Sequence, residues 1–412
     1  MSSSSHRADH FRAQLLLCSA VAVVAGATGP VLAAQYYVQP IATVAAETNS
    51  NIDLDPAGGS PVQGFGADAA ALVSVATPDS ETTVRPRIRY TNYPKETTLD
   101  RLEAVLDFSS RYRSPRNDFS LSGRFDRLND TEAQSPGAQF NDVNPNSPAT
   151  ASTGRVQNGV VRNYLLLQPR YVHRVSQLTG FGMSAVYQTE YFSPANVLGH
   201  VNFDFYQGNL FMSRKFGTRA ELSVGGFASR FQAKNILSTA DAVGANAELE
   251  YDWTETLSAD LNATWQRTNV NSVVAPVFTG TTKNWGASGG LVWRRQAEVF
   301  RINLGRTVSP GSGGGTYSSD QLQAEFDRDL TERLSYSAAV RAIGSRGLWA
   351  NLGSSDRNYA RVDLSAKWML TRTWIVQGGY SYSWQKYHTD PASPNNSQIY
   401  LRFGYQGLPR PH

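Results

Sequence analysis

Two tryptophans, Trp374 and Trp384, lie ten residues apart on the same side of a segment whose side chains otherwise alternate, WIVQGGYSYSW. Ten residues of a strand tilted by about 40° rise roughly 25 Å, which is the height of the apolar band between the two aromatic girdles of a transmembrane barrel. The tryptophan side suits lipid, and the other side, with Gln377, Ser381 and Ser383, suits water. A soluble sandwich would bury such an apolar side equally well, so the recurrence of the pattern and the destination of the chain have to separate the two.

The alternation with a period of two recurs along the chain. Between 358 and 370 the even positions from 360 onward are apolar, and Arg361, Asp363 and Lys367 stand at odd positions. The segments 245–253 and 259–266 alternate in the same way and are separated by a short turn, which predicts a hairpin. Similar hairpins are predicted over 285–308, 322–342 and 102–125.

Charged side chains at every second position indicate that the polar face of these strands is wet. Three like charges on one dry face would cost several kcal/mol each if unpaired. Water lies either outside a soluble sheet or inside a wide pore, and for a barrel the charges line the lumen. The predicted pore-lining residues are Arg85, Arg87, Arg89, Arg101, Arg124, Glu248, Glu250, Asp252, Glu325, Asp327, Asp329, Arg361, Asp363 and Lys367. They either face one another across the pore and select what passes, or simply pair with neighbouring strands, and the sequence favours neither.

The tryptophans on the apolar faces are predicted to form aromatic girdles at the two membrane interfaces. These residues are Trp253, Trp265, Trp285, Trp293, Trp368, Trp374 and Trp384.

Connection lengths support a barrel more strongly than any single strand. Short turns and longer connections alternate along the chain, as the periplasmic turns and extracellular loops of outer-membrane barrels do. The predicted fold is an all-β, transmembrane, antiparallel up-and-down barrel of about eighteen strands (range 16 to 18) with both termini in the periplasm. The first strands are the least secure, because Pro40, Pro86 and Pro169 lie inside proposed strands. Gly225-Gly226 interrupts an alternating segment and is expected to form a bulge.

The beginning of the chain predicts export across the inner membrane. Residues 1–33 read as a cleaved signal peptide, with Arg7 and Arg12 before an apolar core and the small-residue exit Val31-Leu32-Ala33. Residues 34–412 then form a single barrel domain, and the chain's one cysteine, Cys18, is lost with the signal. Mean hydropathy is −0.37, and no later stretch approaches eighteen apolar residues, so no transmembrane helix is expected. A net charge of +4 gives no reason to expect nucleic-acid binding.

The sequence offers little catalytic chemistry. His200 and His388 fall beside outer connections, but no serine or carboxylate near them forms a recognisable unit. No metal-ligand spacing occurs, and neither a metal nor an organic cofactor is predicted. The segment Glu47–Asp55 has enough oxygen atoms for calcium but is better explained as a polar strand end. The long connection Asp130–Gly159 either folds inward to constrict the pore or stays on the surface.

An early predicted strand ends in Glu47-Thr-Asn-Ser-Asn51 and is followed by a loop and then by the strand Val84-Arg-Pro-Arg-Ile-Arg-Tyr90. In this arrangement the chain resembles a family of outer-membrane β-barrel porins associated with exopolysaccharide biosynthesis and export loci. The last strand, with Ile399, Leu401, Phe403 and Tyr405, is similar to the aromatic-ended signal read by the barrel assembly machinery. It departs from that signal in Tyr400 and in the tail after the last aromatic residue.

This resemblance implies a conduit for a secreted polysaccharide that works with a periplasmic polysaccharide export protein. Passage would be passive, through a charge-lined lumen, with no catalytic residue. The alternative within transport is a general diffusion porin for small polar solutes. Outside transport, two other classes are left open by the sequence: an outer-membrane enzyme, and a structural or adhesive barrel. In each case the expected surroundings are the lipid of a Gram-negative outer membrane.

Overall fold

The computed structural model describes residues 34–130, 159–194, 200–234, 238–272, 278–311, 315–348, 356–388, 390–408 and 410–411. In this part of the chain, eighteen long strands are hydrogen-bonded in sequence order, each antiparallel to the next. Among the described residues, no helix has the length and apolar character needed to cross a membrane. The only helical element described within these ranges with assigned bounds is a 3₁₀ turn, Thr97–Leu99.

The strands of the first half are β1 (Gln35–Asn49), β2 (Val62–Ala76), β3 (Ser80–Asn92), β4 (Arg101–Arg113), β5 (Asn117–Asn129), β6 (Val161–Arg174), β7 (Thr179–Ser193), β8 (Phe203–Phe216) and β9 (Ala220–Ala233). Those of the second half are β10 (Ser238–Asp252), β11 (Leu257–Ser272), β12 (Phe278–Arg295), β13 (Glu298–Gly311), β14 (Gly315–Asp329), β15 (Leu334–Gly347), β16 (Arg357–Met369), β17 (Trp374–Tyr387), β18 (Asn395–Gln406) and the short β19 (Arg410–Pro411).

The first and last long strands pair with each other and close the sheet. Their ladder runs from Ile41 opposite Gln406 to Asn49 opposite Gln398. The C-terminal tail does not leave the barrel at this point, because β19 continues along β1 with Val38 opposite Arg410. Closure leaves no unpaired edge, which is the condition for a sheet to span a membrane.

The outer face of the barrel is apolar and the inner face is polar. On β16, Leu364 and Trp368 are 49% and 55% exposed and face outward, whereas Arg361 and Lys367 belong to the opposite, inner face. Large apolar side chains are exposed on the outside of β1 to β18 in the same way. A closed antiparallel barrel with this exterior is the architecture of Gram-negative outer-membrane proteins, so the predicted fold class and location are confirmed.

Short turns lie at one end of the barrel and longer connections at the other. The turns at 77–79, 114–116, 217–219 and 296–297 have two or three residues, whereas the connection between β1 and β2 spans 50–61. The start of β1 and the end of β18 lie at the short-turn end, which in outer-membrane barrels faces the periplasm. Most of the long connection after Asp130 falls outside the described residues. Its two predicted placements, folded into the pore or on the surface, therefore stay predictions.

Two strands begin earlier than the alternation predicts. β10 starts at Ser238 and β12 at Phe278, whereas the alternating pattern begins at 245 and 285. Backbone pairing continues beyond the apolar band, but the pattern of β10 reverses there. Ala240 and Ala242 on the inner face are buried, whereas Asp241 on the outer face is exposed, and Ala240 packs in an apolar cluster with Phe203 and Phe231.

The three prolines that weakened the prediction of the early strands are accommodated on the outer face. Pro86 leaves a gap in the β2–β3 ladder, where the pairs of Ala71 and Leu72 are missing. Its partners on the β4 side are intact, because the missing N–H would have pointed toward β2 only. Pro169 interrupts the β6–β7 ladder similarly, and the register continues unchanged on both sides of each gap.

The bulge expected at Gly225-Gly226 is absent. Register is continuous from β8 through β9 to β10 across these glycines. The reason for glycine is steric. A Cβ on Gly225 would lie 2.9 Å from the Cβ of Phe211, and a Cβ on Gly182 would lie 2.3 Å from the Phe211 ring. The ring therefore lies over Gly182 on the inner wall, where the Arg170 guanidinium lies 4.7 Å from the ring centre.

Replacing Gly182 with alanine should lower the free energy of unfolding by about 1–3 kcal/mol, because the new methyl group overlaps the Phe211 ring. Denaturant unfolding in detergent micelles measures this difference. Gly208→Ala is the control, since a Cβ there meets nothing within 4 Å. In a Phe211→Ala background, Gly182→Ala should cost less stability than it does in the native protein, because the ring that the new methyl group would overlap is gone. An equal cost in both backgrounds would contradict the overlap.

Candidate functional site

The arginines of β3 lie on the inner wall near the middle of the barrel and pair with carboxylates on the neighbouring strands. Arg87 Nε donates to both oxygens of Asp68 on β2, at 2.8 and 3.0 Å. Arg89 donates to Glu103 on β4, with Nε at 2.6 Å. Of the two arrangements that the sequence left open, this wall shows pairing between adjacent strands.

Arg124 on β5 extends this network toward the next strands. Its Nη1 lies 3.2 Å from Asp107, and its Nε lies 3.0 Å from Asp126. Asp126 also accepts from Arg162 at 3.1 Å, and both of those side chains are fully buried. The sequence gave no sign that Asp126 would accept from two cations.

A recess of about 280 Å³ opens on this part of the lumen. Its walls come from β1 to β5 and β16 to β18, and we call it the basic recess. Its charged residues are Arg85, Arg87, Arg89, Arg124, Lys367, Arg402, Asp68, Glu103 and Asp107. Six cations face three carboxylates, so the basic recess carries an excess of three positive charges at neutral pH.

Arg402 was not among the predicted pore-lining residues. It lies on the inner face of β18, where its guanidinium stacks 4.3 Å from the centre of the Tyr400 ring. That ring in turn covers Gly379 on β17, where an added Cβ would meet it at 2.4 Å. Tyr400, which departs from the usual assembly signal, thus supports a lumen cation. The alternation of β18 placed both side chains inward, but the aromatic spacing drew attention to the outer face alone.

The acidic residues predicted on β10 and β14 also face inward. Glu250, Asp327 and Asp329 lie near the short-turn ends of their strands, whereas Arg87 lies near the middle of β3. Arg85, Glu248 and Glu325 all lie four or five residues from the short-turn ends of their strands. That the basic and acidic residues face each other across the pore stays a prediction.

On β14 the acidic side chains have a nearby cation. Arg301 on β13 lies 3.5 Å from Glu325 and 2.9 Å from Asp327. On β16, Arg361 pairs with Asp363 at 2.8 Å. Most of the charges predicted to line the pore thus have an oppositely charged partner nearby, chiefly a residue outside the predicted set.

At the periplasmic end a larger recess, of about 560 Å³, has balanced charge. We call it the mixed-charge recess. Its ionisable residues are Arg111, Arg170, Arg174, Lys215, Asp118, Glu221, Glu248 and Glu250. Four cations face four carboxylates, so this vestibule has no net charge to select with. Arg111 and Asp118 make the best-defined pair, with Nε 3.0 Å from Oδ1.

A third recess, of about 270 Å³, lies on the wall formed by β8 to β13. It is lined mainly by side-chain amides and hydroxyls, among them Gln207, Asn209, Asn246, Asn262, Thr264, Gln266 and Ser288. This part of the wall offers hydrogen bonds, whereas the short-turn end of β8 to β10 contributes charged residues to the mixed-charge recess.

A polar cluster holds the seam between β1 and its neighbours at the outer end. Arg101 donates to the Tyr93 hydroxyl, which donates to Glu47, and Arg101 Nη2 lies 3.6 Å from Glu47. Burial raises the pKa of Tyr93 well above its usual range, so the phenol keeps its proton. Asn49 and Gln398 also donate to Glu47, at 3.1 and 3.0 Å. The acidic-Asn segment is thus the end of a strand held by hydrogen bonds.

The tryptophans fall into two levels. Trp293, Trp368 and Trp374 lie near the periplasmic ends of their strands. Trp265 and Trp285 lie on the outer half and are directly opposite each other, and Trp384 is in the outer half of β17. Trp253 differs, since it lies in the turn between β10 and β11, 51% exposed, beside Tyr251.

The histidines singled out by the sequence do not form an accessible catalytic unit within the described residues. His200 is buried, and its Nε2 lies 3.0 Å from Asp130 Oδ2. Phe192 packs against the imidazole edge, with ring centres 4.5 Å apart. No group of three or more His, Cys, Asp or Glu side chains in this part of the chain is arranged to hold a metal ion.

Comparison with known proteins finds similar barrels among solved structures. They include OccK2 (OpdF) of Pseudomonas aeruginosa in complex with glucuronate, with a TM-score of 0.44 at 9% identity, covering 92% of this chain and 100% of that one. OccAB3 of Acinetobacter baumannii gives 0.42 at 9%, covering 91% and 100%. OpdK of Pseudomonas aeruginosa with vanillate gives 0.43 at 9%, covering 91% and 99%. No family model matches the chain, and no curated protein matches it.

Proposed function

We propose that this barrel is a passive outer-membrane pore for small polar solutes, with a preference for anions set by the basic recess. The observation that carries the proposal is the excess of three positive charges in a lumen recess of about 280 Å³. Charged side chains in a narrow lumen act on a passing ion through a low effective dielectric, and they are screened less than surface charges. No catalytic residue takes part.

The recesses of the lumen wall are of a size that suits small solutes. Volumes of about 280, 560 and 270 Å³ are comparable to, or smaller than, those of small-molecule sites. Ion pairs that join adjacent strands, such as Arg87 with Asp68, also hold the side chains against the wall and fix the shape of the lumen. The polysaccharide-export function implied by the family resemblance therefore stays the second candidate, together with its periplasmic partner protein.

Planar-bilayer recording with the purified full-length protein tests the proposal. We expect stepwise openings, a reversal potential that indicates anion preference in a KCl gradient, and blockade by polyethylene glycols only when they are small enough to enter. A protein that never conducts would refute both transport functions. Openings that admit polymers of several kilodaltons would instead support export of a polymer.

A further inference from the structure

The outward face of β11 and β12 changes character in three successive residue pairs. Trp265 and Trp285 are directly opposite each other and are 50% and 58% exposed. Two residues nearer the outer end, Arg267 is directly opposite Lys283, and both are exposed. Asn269 and Thr281 form the next outward pair and are joined by a hydrogen bond of 2.8 Å. The apolar band thus ends in an aromatic pair that is followed at once by a pair of cations.

Two cations placed directly opposite on one face of an antiparallel sheet repel each other, because their Cβ atoms are about 5 Å apart. In the described part of the chain, neither Arg267 nor Lys283 has a hydrogen bond or ion pair with a protein group. The nearby carboxylates on the same face are engaged. Asp241 lies 3.7 Å from Arg230, and Asp320 accepts from Arg306 at 2.6 and 2.8 Å.

The surrounding strands add to the positive charge. Arg306 on β13 lies 5.0 Å from the centre of the Trp285 ring, so its guanidinium is at the same level as the aromatic pair. Arg346 on β15 is exposed on the same outer face, opposite Ser318. The charged residues of this outer basic patch are Arg230, Arg267, Lys283, Arg306, Arg346, Asp241 and Asp320. Five cations accompany two carboxylates, which leaves an excess of three positive charges.

The position of the outer basic patch identifies its surroundings. Exposed tryptophans mark the boundary between hydrocarbon and headgroups, so side chains just beyond them face lipid headgroups of the outer leaflet. Below the tryptophans, Leu261 and Leu304 are 57% and 55% exposed and offer an apolar surface for acyl chains. An anionic headgroup attached to acyl chains would satisfy both parts of this surface at once, and it would remove the repulsion between Arg267 and Lys283.

We infer that the outer basic patch binds a phosphorylated lipid of the outer leaflet, with a phosphate between Arg267 and Lys283 and its acyl chains on the apolar band below Trp265 and Trp285. Charge-assisted hydrogen bonds to phosphate oxygens are among the strongest that arginine makes. The inference depends on the orientation of the barrel in the membrane and does not depend on what passes through its lumen.

Native mass spectrometry of the full-length protein in detergent, titrated with purified bis-phosphorylated lipid A, tests this site. Arg267→Gln with Lys283→Gln should weaken binding of that lipid by about tenfold to a hundredfold, the effect of losing one or two charge-assisted contacts. Lys386→Gln is the matched control, because it removes an exposed cation near the outer end of β17, away from the patch. Unchanged single-channel conductance shows that the double variant is folded.

Two further measurements distinguish a phosphate carried by a lipid from free phosphate. Inorganic phosphate at millimolar concentration should not displace the lipid, and complete displacement would mean a site for the free ion. Chemically dephosphorylated lipid A should bind about as weakly to the native protein as the phosphorylated lipid does to the double variant. Equal binding of both lipids by the native protein, or unchanged affinity of the double variant, would overturn the inference.

Discussion

Replacing Lys367 and Arg402 with glutamate should convert an anion-preferring channel into a cation-preferring one. Both residues line the basic recess, and the two substitutions change its charge by minus four, from an excess of three positive charges to an excess of one negative charge. The ratio of potassium to chloride permeability should therefore rise from below one to above one. Reversal potentials in a KCl gradient measure this ratio directly.

The choice of these two positions keeps the pairs of Arg87 with Asp68 and of Arg89 with Glu103. Arg87 and Arg89 would be poorer targets, since each holds a carboxylate on a neighbouring strand. Removing either cation would leave that carboxylate without its partner, and a loss of folding would then be confused with a loss of selectivity. Recordings at about 0.1 M salt are preferable, because the Debye length of roughly 10 Å then still spans much of a narrow lumen.

A control with the same change in charge is available on the outside of the barrel. Arg267→Glu with Lys283→Glu also changes the net charge by minus four, but both side chains face outward at the membrane interface. Selectivity should stay at the native value in this variant. If both double variants shifted the reversal potential equally, the effect would come from overall charge, and the basic recess would not set selectivity.

The sequence predicts the barrel well because a single physical rule acts on every strand. Lipid outside and water inside demand opposite polarity on the two faces, so the alternation around Leu364 and Asp363 is visible in the sequence without any knowledge of neighbours. The rule applies only within the apolar band. Where β10 continues above it, from Ser238, Ala240 and Ala242 are buried on the inner face and Asp241 is on the outer face, so the pattern reverses and the prediction stops short. The strand β12 also begins earlier than predicted, at Phe278.

The glycines at 225 and 226 show a second limit. A glycine in a strand signals either a bulge or the close approach of another group, and the choice depends on the residue opposite. Here Phe211 on β8 requires the space. Strand register places Phe211 opposite Gly225, and register cannot be read from the sequence of a single segment.

The missing register also limits the prediction of the charged residues in the lumen, and there it affects function. Alternation places Arg89, Glu103 and Asp107 on the inner wall, but it cannot say which of them pair. Across the β3–β4 ladder Arg89 is directly opposite Glu103, and this register makes a pair out of two residues fourteen positions apart. The net charge of each recess, which decides selectivity, is therefore a property of the closed barrel and not of any segment.

Replacing Arg162 with methionine should destabilise the barrel by about 3–5 kcal/mol, the cost of breaking a buried ion pair, because among the described residues Asp126 then keeps only Arg124 as its cation. Arg162 on β6 and Asp126 on β5 are both fully buried, and two donor–acceptor distances of 3.1 and 3.4 Å join them. The guanidinium also lies 5.1 Å from the centre of the Tyr164 ring. The substitution removes the charge while keeping much of the apolar volume of the side chain. Guanidinium-induced unfolding in micelles measures the loss.

Two further variants determine whether the weakened pairing of the Asp126 carboxylate is the cause. Combining Arg162→Met with Asp126→Asn should recover much of the lost stability, because position 126 is then neutral and no longer depends on Arg162 for charge compensation. Arg113→Met removes an arginine that is 61% exposed and lies 3.5 Å from Asp118, and it should cost about 1 kcal/mol or less. If Arg162→Met cost no more than Arg113→Met, Arg124 would suffice to stabilise the Asp126 carboxylate, and the prediction would be wrong.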